Sequence, residues 1–343
     1  MKKNIILTII VLLLILLGSV AYFTSRNKKD STFVGKNGWL VVDGSNLLNS
    51  SGEPIQLRGI SSHGIQWYQY SKSTIKALKD TMKINVFRIA MWTDPNHNGY
   101  VKNPGIKDYA IELIDYAIEL DLYVIIDWHI LEDDNPNTYK EEAKEFFDEI
   151  SNKYKNVPNV IYEICNEPSG TTNWKEGVKP YAEEIIPVIR KNSPKSLIIV
   201  GTPEWCRDLN EVLASPLDYK NIVYAVHFYS GSNKQELRDV MDNFLDNGLA
   251  IFVSECGMTN YMADGPLYID EFETWIKYLD QKNISWVYWS IAMKDETSSI
   301  LDPNKDYFKW DIYGNFIDPE DKDLNDYLSE SGKEIHKILN SYQ

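Results

Sequence analysis

At 343 residues the chain exceeds the usual single domain yet fits one α/β barrel with small additions, and 43% apolar residues are ample for a large core. A formal charge of −15 argues against nucleic acid or an anionic membrane as partner, since both would be repelled, and leaves room for a neutral polymer. Cys165, Cys206 and Cys256 are odd in number and lack CxxC spacing, which argues against a disulfide framework.

Met1-Lys-Lys-Asn is followed by Ile5 to Phe23, an apolar run whose only polar side chains are Thr8 and Ser19. A basic start and a long apolar stretch read as an export signal rather than part of the fold. Ser19-Val20-Ala21 resembles a small-residue cleavage site, but the run is also long enough to span a bilayer as an uncleaved anchor. Lys2 and Lys3 favour an N-terminus inside and the domain outside. Expected divisions are 1–25 as signal peptide or membrane anchor, 26–34 as a polar linker, and 35–343 as one domain. From Gly35, Leu40-Val-Val and the turn-rich Asn49-Ser-Ser-Gly-Glu-Pro predict a small hairpin closing the bottom of a barrel.

Eight short apolar runs then follow, most with an amphipathic helix behind them. Strands are expected at 55–60, 85–90, 123–127 and 160–165, then at 197–200, 222–226, 251–254 and 286–288. Helical periodicity predicts helices at 73–83, 106–120, 139–154, 179–191, 234–247, 267–281 and 324–339, with a short one near 209–214. Alternating strands and helices imply parallel pairing. The fold expected is therefore an α/β protein, a (β/α)8 TIM barrel with a small N-terminal β-hairpin, preceded by a hydrophobic signal or anchor helix. Ala292 to Pro319 forms a long loop between the eighth strand and the last helix, and loops of that length are usually functional or disordered.

In such a barrel, chemistry collects past the C-terminal ends of the strands. Strand four ends Ile164-Cys-Asn-Glu-Pro168 and strand seven ends Ser254-Glu255-Cys-Gly257, so each delivers a carboxylate. Other strand ends carry His63 and Trp67, Arg88, Asp127 and His129, Trp205, His227 and Tyr229, and Trp289. Two strand-end carboxylates among aromatics suggest glycoside hydrolysis, where one carboxyl group gives a proton to the leaving oxygen and the other stays ionised. Arg88 would keep one glutamate ionised, with Tyr229 donating to the same carboxylate. Asn166 would orient a sugar hydroxyl, and Trp289, Trp67 and Trp205 offer flat faces for pyranose rings.

Competing readings remain at this level. Cys165 and Cys256, beside the two glutamates, could supply a thiol nucleophile, although cysteines in strands usually serve as small buried hydrophobes. Glu163 shares parity with Glu167 and reads as a paired interior group. His63, His129 and His227 with a glutamate could bind a metal, though no HxH or HExxH spacing supports it. A binding module without catalysis would explain the tryptophans but not Arg88 and two strand-end glutamates.

The motifs Ser61-Ser-His-Gly-Ile-Gln-Trp67, Ile164-Cys-Asn-Glu-Pro168, His227-Phe-Tyr229, Ser254-Glu255-Cys-Gly257 and Trp289-Ser-Ile-Ala-Met-Lys-Asp-Glu296 resemble glycoside hydrolase family 5, the cellulase A family of clan A, and within it the bacterial endo-β-1,4-glucanases. The resemblance runs from about Gly38 to the last helix. It implies Glu167 as acid/base and Glu255 as nucleophile of a retaining double displacement. It implies further that Arg88, His129, Asn166, His227, Tyr229 and Trp289 complete the subsite of the cleaved sugar. His63, Trp67, Lys294 and Glu296 would contact sugars on the non-reducing side, and Trp205 would be the leaving-side platform. Cys165 stands where a small residue is common, and Trp205-Cys206-Arg207 departs from the usual Trp-Ser-Gln, which bears on leaving-side affinity. The implied substrate is a β-glucan, cut with no cofactor and no metal, by a monomer that is secreted or anchored on the outer face of the membrane. The same chemistry on mannan, lichenan or xyloglucan, and a surface-anchored glucan-binding protein with vestigial catalysis, are the alternatives.

Overall fold

The computed structural model describes residues 31–342. The expected signal or anchor segment therefore lies outside the described residues. Within them, no helix is long and apolar enough to cross a membrane. Thr32 caps a short helix, Phe33–Asn37, and the amides of Phe33 and Val34 donate to Asp121. Strands β1 (Val41–Asp43) and β2 (Asn46–Leu48) pair antiparallel as the expected hairpin.

Eight parallel strands close the barrel in the order β10-β3-β4-β5-β6-β7-β8-β9. They are β3 (Arg58–Ser62), β4 (Val86–Trp92), β5 (Tyr123–His129), β6 (Val160–Glu163), β7 (Ile198–Val200), β8 (Ile222–Tyr229), β9 (Ile251–Gly257) and β10 (Trp286–Ile291). Strand β3 begins later than predicted because Ile55 N–H is already given to Leu47 of the hairpin and Leu57 N–H to Ser285 Oγ. Strands β4, β5, β8, β9 and β10 run past their predicted ends, so most residues marked as lying beyond the strands are still in them.

Alternation sorts the side chains. On β4, Phe87 and Ile89 face the helices and join a large outer core with such helix residues as Leu113, Phe146 and Ile185. Val86, Tyr123, Ile125, Ile161, Ile199, Val223 and Phe252 point inward, and Val34, Leu40 and Leu47 of the N-terminal segment cap that inner cluster. The bottom of the barrel is thus plugged by apolar groups, and the chain enters there. Above the plug the same inward positions turn polar: Arg88, Asp127, Glu163 and Ser254, all fully buried.

The last predicted helix is in fact two pieces, a 3-10 turn at Leu324–Tyr327 and a helix at Glu330–Asn340. Ser329 causes the break, since its Oγ accepts the Gly332 N–H and so caps a new helix rather than continuing an old one. The long loop after β10 holds a second hairpin, β11 (Lys309–Trp310) with β12 (Phe316–Ile317).

Candidate active site

The C-terminal ends of the strands surround a cleft of about 840 Å³. Every residue predicted for the site lines it except Arg88, which is fully buried beneath the floor. Arg88 is therefore a positioning group rather than a sugar contact. Its Nε donates to Glu163 Oε2 at 2.7 Å and its Nη1 to Glu255 Oε2 at 3.1 Å. Its Nη2 reaches Asn166 Oδ1 at 2.7 Å and Asp127 Oδ2 at 3.0 Å. One guanidinium fork thus locks three carboxylates and an amide, a geometry that lysine cannot supply. Glu163, read from the sequence as a paired interior group, is one of its partners.

Glu255 owes its place to a β-bulge. Between Ala225↔Phe252 and His227↔Glu255, β9 advances one residue more than β8, and β10 shows the same offset between Trp286↔Val253 and Tyr288↔Cys256. The extra residue lets Ser254 and Glu255, adjacent in sequence, both turn inward. Glu255 Oε1 accepts the Tyr229 hydroxyl at 2.8 Å. Burial and the facing Glu167 carboxylate raise the Glu255 carboxyl above its ordinary value, and His227, Arg88 and Tyr229 oppose that rise without cancelling it. Oxygens of Glu167 and Glu255 lie within 4.8 Å of each other.

A second network reaches Glu167. Glu163 Oε1 accepts from Ser254 Oγ at 2.6 Å, Ser254 Oγ meets His227 Nε2 at 3.0 Å, and His227 Nδ1 meets Glu167 Oε1 at 2.8 Å. Burial alone would lower the His227 imidazole, but the hydrogen bonds and charges of the glutamates outweigh it and raise it from 6.5 to about 9. Glu163 is buried too, yet Arg88 and His227 hold it down at about 2. A histidine raised in the folded state contributes stability that is complete below its unfolded value and is lost as pH rises through the folded one. The free energy of unfolding is accordingly expected to fall between about pH 6.5 and pH 9 in the native protein, and His227→Gln to flatten that slope; denaturant titrations across this range check it.

Two further cleft histidines, His129 and His63, are neutral. Burial and Arg88 push His129 well below its ordinary value, so its Nδ1–H donates to Asp127 Oδ2 at 2.6 Å. Burial and Lys294 lower His63 to about 3, and its Nδ1 accepts the Gly64 N–H at 2.8 Å, which leaves Nε2 as the donor. Trp289, His129 and Trp92 stack, with ring centroids 5.4 and 5.1 Å apart. Trp67 and Trp205 each keep 40% of their surface open and line the cleft after β3 and β7, which stand four strands apart in the closed barrel. Asn166 Oδ1 is taken by Arg88, and its Nδ2 donates to Ile130 O at 3.0 Å and to His129 Nε2 at 3.4 Å, the ring nitrogen left as acceptor by the Nδ1–H bond to Asp127. Lys294 pairs with Glu296.

The thiols do not serve as nucleophiles: all three are buried, and burial pushes each of them up. Cys206 instead donates Sγ–H to the Asn166 carbonyl at 2.8 Å, tying the Trp205 loop to the end of β6. Glu204, Trp205 and Cys206 all adopt left-handed backbone, and Arg207 lies over the Trp205 ring at 5.3 Å. The departure Cys206-Arg207 therefore anchors the Trp205 loop through the thiol and covers the indole with the guanidinium. Among the described residues two groups of ligand-type atoms converge, Glu167/His227/Glu255 and Asp94/His97/Glu132. In both, the imidazole nitrogens already face hydrogen-bonding oxygens: Ser254 and Glu167 for His227, and Asp94 at 2.9 Å and Glu132 at 3.5 Å for His97. Trp92, His97, Tyr68, Arg207, Tyr261 and Met262 also line the cleft and were not among the predicted site residues. Most of them sit on loops, where no strand-end signal marks them, although Trp92 closes β4 and was within reach of that signal.

Comparison with known proteins follows this geometry closely. The family model for cellulase (glycosyl hydrolase family 5) matches residues 48–295. Endoglucanase A of Evansella cellulosilytica is 51% identical over 255 residues, covering 74% of this chain and 52% of that protein. An endoglucanase of Clostridium saccharobutylicum is 44% identical over 299 residues, covering 86% of this chain and 65% of that protein. The chain thus spans between about half and two thirds of the length of these curated relatives. The crystal structure of the catalytic domain of Thermobifida fusca endoglucanase Cel5A superposes with a TM-score of 0.80 at 33% identity, covering 90% of this chain and 100% of that one. With a model match over most of its length and a shared barrel, the chain belongs to the cellulase family, glycosyl hydrolase family 5.

Proposed function

We propose that this chain is an endo-β-1,4-glucanase that cleaves internal bonds of cellulose or a related β-glucan with retention of anomeric configuration. The reading is carried by one observation: carboxylate oxygens of Glu167 and Glu255 face each other within 4.8 Å at the floor of a cleft flanked by exposed tryptophans. Retaining enzymes hold their carboxyl groups about 5–5.5 Å apart, whereas inverting ones leave about 6.5–9.5 Å for a water. The relatives named endoglucanase support the same substrate class.

The roles follow from the partners of each group. Glu255 receives hydrogen bonds from Arg88 and Tyr229, both of which favour its ionised form, and it is the nucleophile. Its oxygen attacks the anomeric carbon as the glycosidic C–O bond breaks and the electron pair leaves with the departing oxygen. Glu167 gives that oxygen a proton. Among the described residues its side-chain partner is His227, whose Nδ1 lies 2.8 Å from Glu167 Oε1. Water then loses a proton to Glu167 and attacks the same carbon, which breaks the ester and restores Glu255. Two inversions give net retention. Trp67 and Trp205 would hold sugar rings on the two sides of the bond, with His63, Lys294 and Glu296 on the Trp67 side.

The apolar run at 5–23 supports export, with the domain either released or held at the outer face of the membrane, and a monomer suffices because both glutamates come from one barrel. The expected result of a polysaccharide panel is release of new reducing ends from carboxymethyl-cellulose, with the β-anomer as first product by proton NMR. An α-anomer would remove the nucleophile role from Glu255, and no turnover on any β-1,4-glucan would remove the substrate.

A further inference from the structure

The hairpin β11–β12 carries a group of side chains that the fold does not use. Trp310 is 47% exposed, Ile312 91%, Tyr313 83% and Ile317 45%. Large apolar side chains displayed together are a cost unless something covers them. They are also held firmly. Asp311 Oδ1 accepts the amides of Tyr313 and Asn315 at 2.8 and 2.9 Å, and Asp311 and Asn315 close the turn backbone to backbone at 2.8 Å. Gly314 supplies the left-handed residue that the turn requires, at φ 81°. At the base, Tyr307 and Phe308 are buried in the outer core.

The hairpin is joined to the cleft by a row of rings. Tyr68 lines the cleft beside His63 and packs on Phe308 at 6.0 Å; Phe308 packs on Phe316 at 6.3 Å, and Phe316 on its cross-strand partner Trp310 at 5.9 Å. The platform is therefore linked through Phe308 and Tyr68 to the wall of the cleft that carries His63 and Trp67. Charge narrows the choice of occupant. Between Lys305 and Asp323 there are six acidic residues against three lysines, which disfavours an anionic membrane or nucleic acid. A neutral polyhydroxylated chain suits exposed rings, because pyranose C–H groups meet the electron-rich ring face while the hydroxyls stay in water.

We propose that Trp310 and Tyr313 form an outlying contact for β-glucan, engaging the stretch of a long chain that emerges from the Trp67 end of the cleft. The proposal rests on the functional reading above. A short oligosaccharide that fits the cleft would not reach the hairpin, whereas a polymer would.

The test compares the full chain with Trp310→Ala/Tyr313→Ala on cellotetraose, on carboxymethyl-cellulose and in adsorption to insoluble cellulose. The expected result is unchanged kinetics on cellotetraose, a polymer KM raised about three- to tenfold at constant kcat, and adsorption weakened by a similar factor. Unchanged polymer KM and adsorption would overturn the proposal, and so would an equal loss on cellotetraose, which would mean damage to the cleft. A native dimer in sedimentation that the double variant converts to monomer would assign the face to a second copy instead. Adsorption does not depend on turnover, so absence of hydrolysis by the native protein would refute the functional reading while the adsorption difference still decides the role of the hairpin.

Discussion

Glu255→Gln is expected to lower kcat on carboxymethyl-cellulose by about four orders of magnitude while KM stays within a few-fold. The amide keeps the shape of the side chain but cannot attack carbon. It also presents an N–H2 where Tyr229 and Arg88 both donate, so one hydrogen bond is lost and the remaining one is weaker. The fold survives because Arg88 keeps Glu163 and Asp127 as partners. The role is separable from that of Glu167 by rescue. In Glu255→Gly, added azide attacks the anomeric carbon from the vacated side, the departing oxygen takes its electron pair and the Glu167 proton, and an α-glycosyl azide accumulates. A β-azide would exchange the two assignments. Substantial activity in Glu255→Gln would end the double-displacement account.

Arg88→Met is expected to lower the free energy of unfolding at pH 7 by about 3–5 kcal/mol, because it leaves buried carboxylates without their cation. Asp127 and Glu163 are fully buried and Glu255 nearly so. His227 alone cannot replace a fork that reaches all three. Arg88→Lys restores the charge but not the fork and should fall between the two. The acid side gives an independent check. Burial opposes the charge of Glu163, but Arg88 and His227 bring its carboxyl from 4.5 to about 2. A depressed carboxyl contributes stability above its unfolded value and loses it as pH falls through its folded one. The gap between native protein and Arg88→Met should therefore narrow from about pH 4.5 toward pH 2, as measured by denaturant midpoints. A gap independent of pH would show that packing, not charge, is what the arginine supplies.

Much of this was legible from the chain. Runs such as Tyr123 to Asp127 and Val160 to Cys165 announce buried strands, and polar groups at their ends have no reason to be there except chemistry. Glu167 and Glu255 stand out on those grounds, and Glu163 was readable as a paired interior group. What was hidden depends on geometry that one-dimensional spacing does not carry. Simple alternation puts Ser254 and Glu255 on opposite faces of β9, and only the inserted residue of the bulge lets one reach Glu163 while the other reaches the cleft. Arg88 was read both as the cation beside a glutamate and as part of the sugar subsite; it does bond Glu255, but its inward position one layer below the floor makes it a hub for other side chains rather than a sugar contact. Tyr261 and Met262 come to the cleft on a loop and His97 on a short 3-10 turn, Pro95–His97, where neither period nor propensity points. The helix break at Ser329 was present in the sequence as a cap signal inside a periodic stretch, and the local hydrogen bond prevailed over the period.

Val34, Leu40 and Leu47 seal one pole of the barrel, and both glutamates open at the other. Whatever is joined ahead of residue 31 meets the molecule at its sealed pole. Grafting the protein to a bead, a scaffold protein or a cell envelope through that end would leave the mouth of the cleft turned outward. The same attachment made at a loop of the opposite rim would obstruct it.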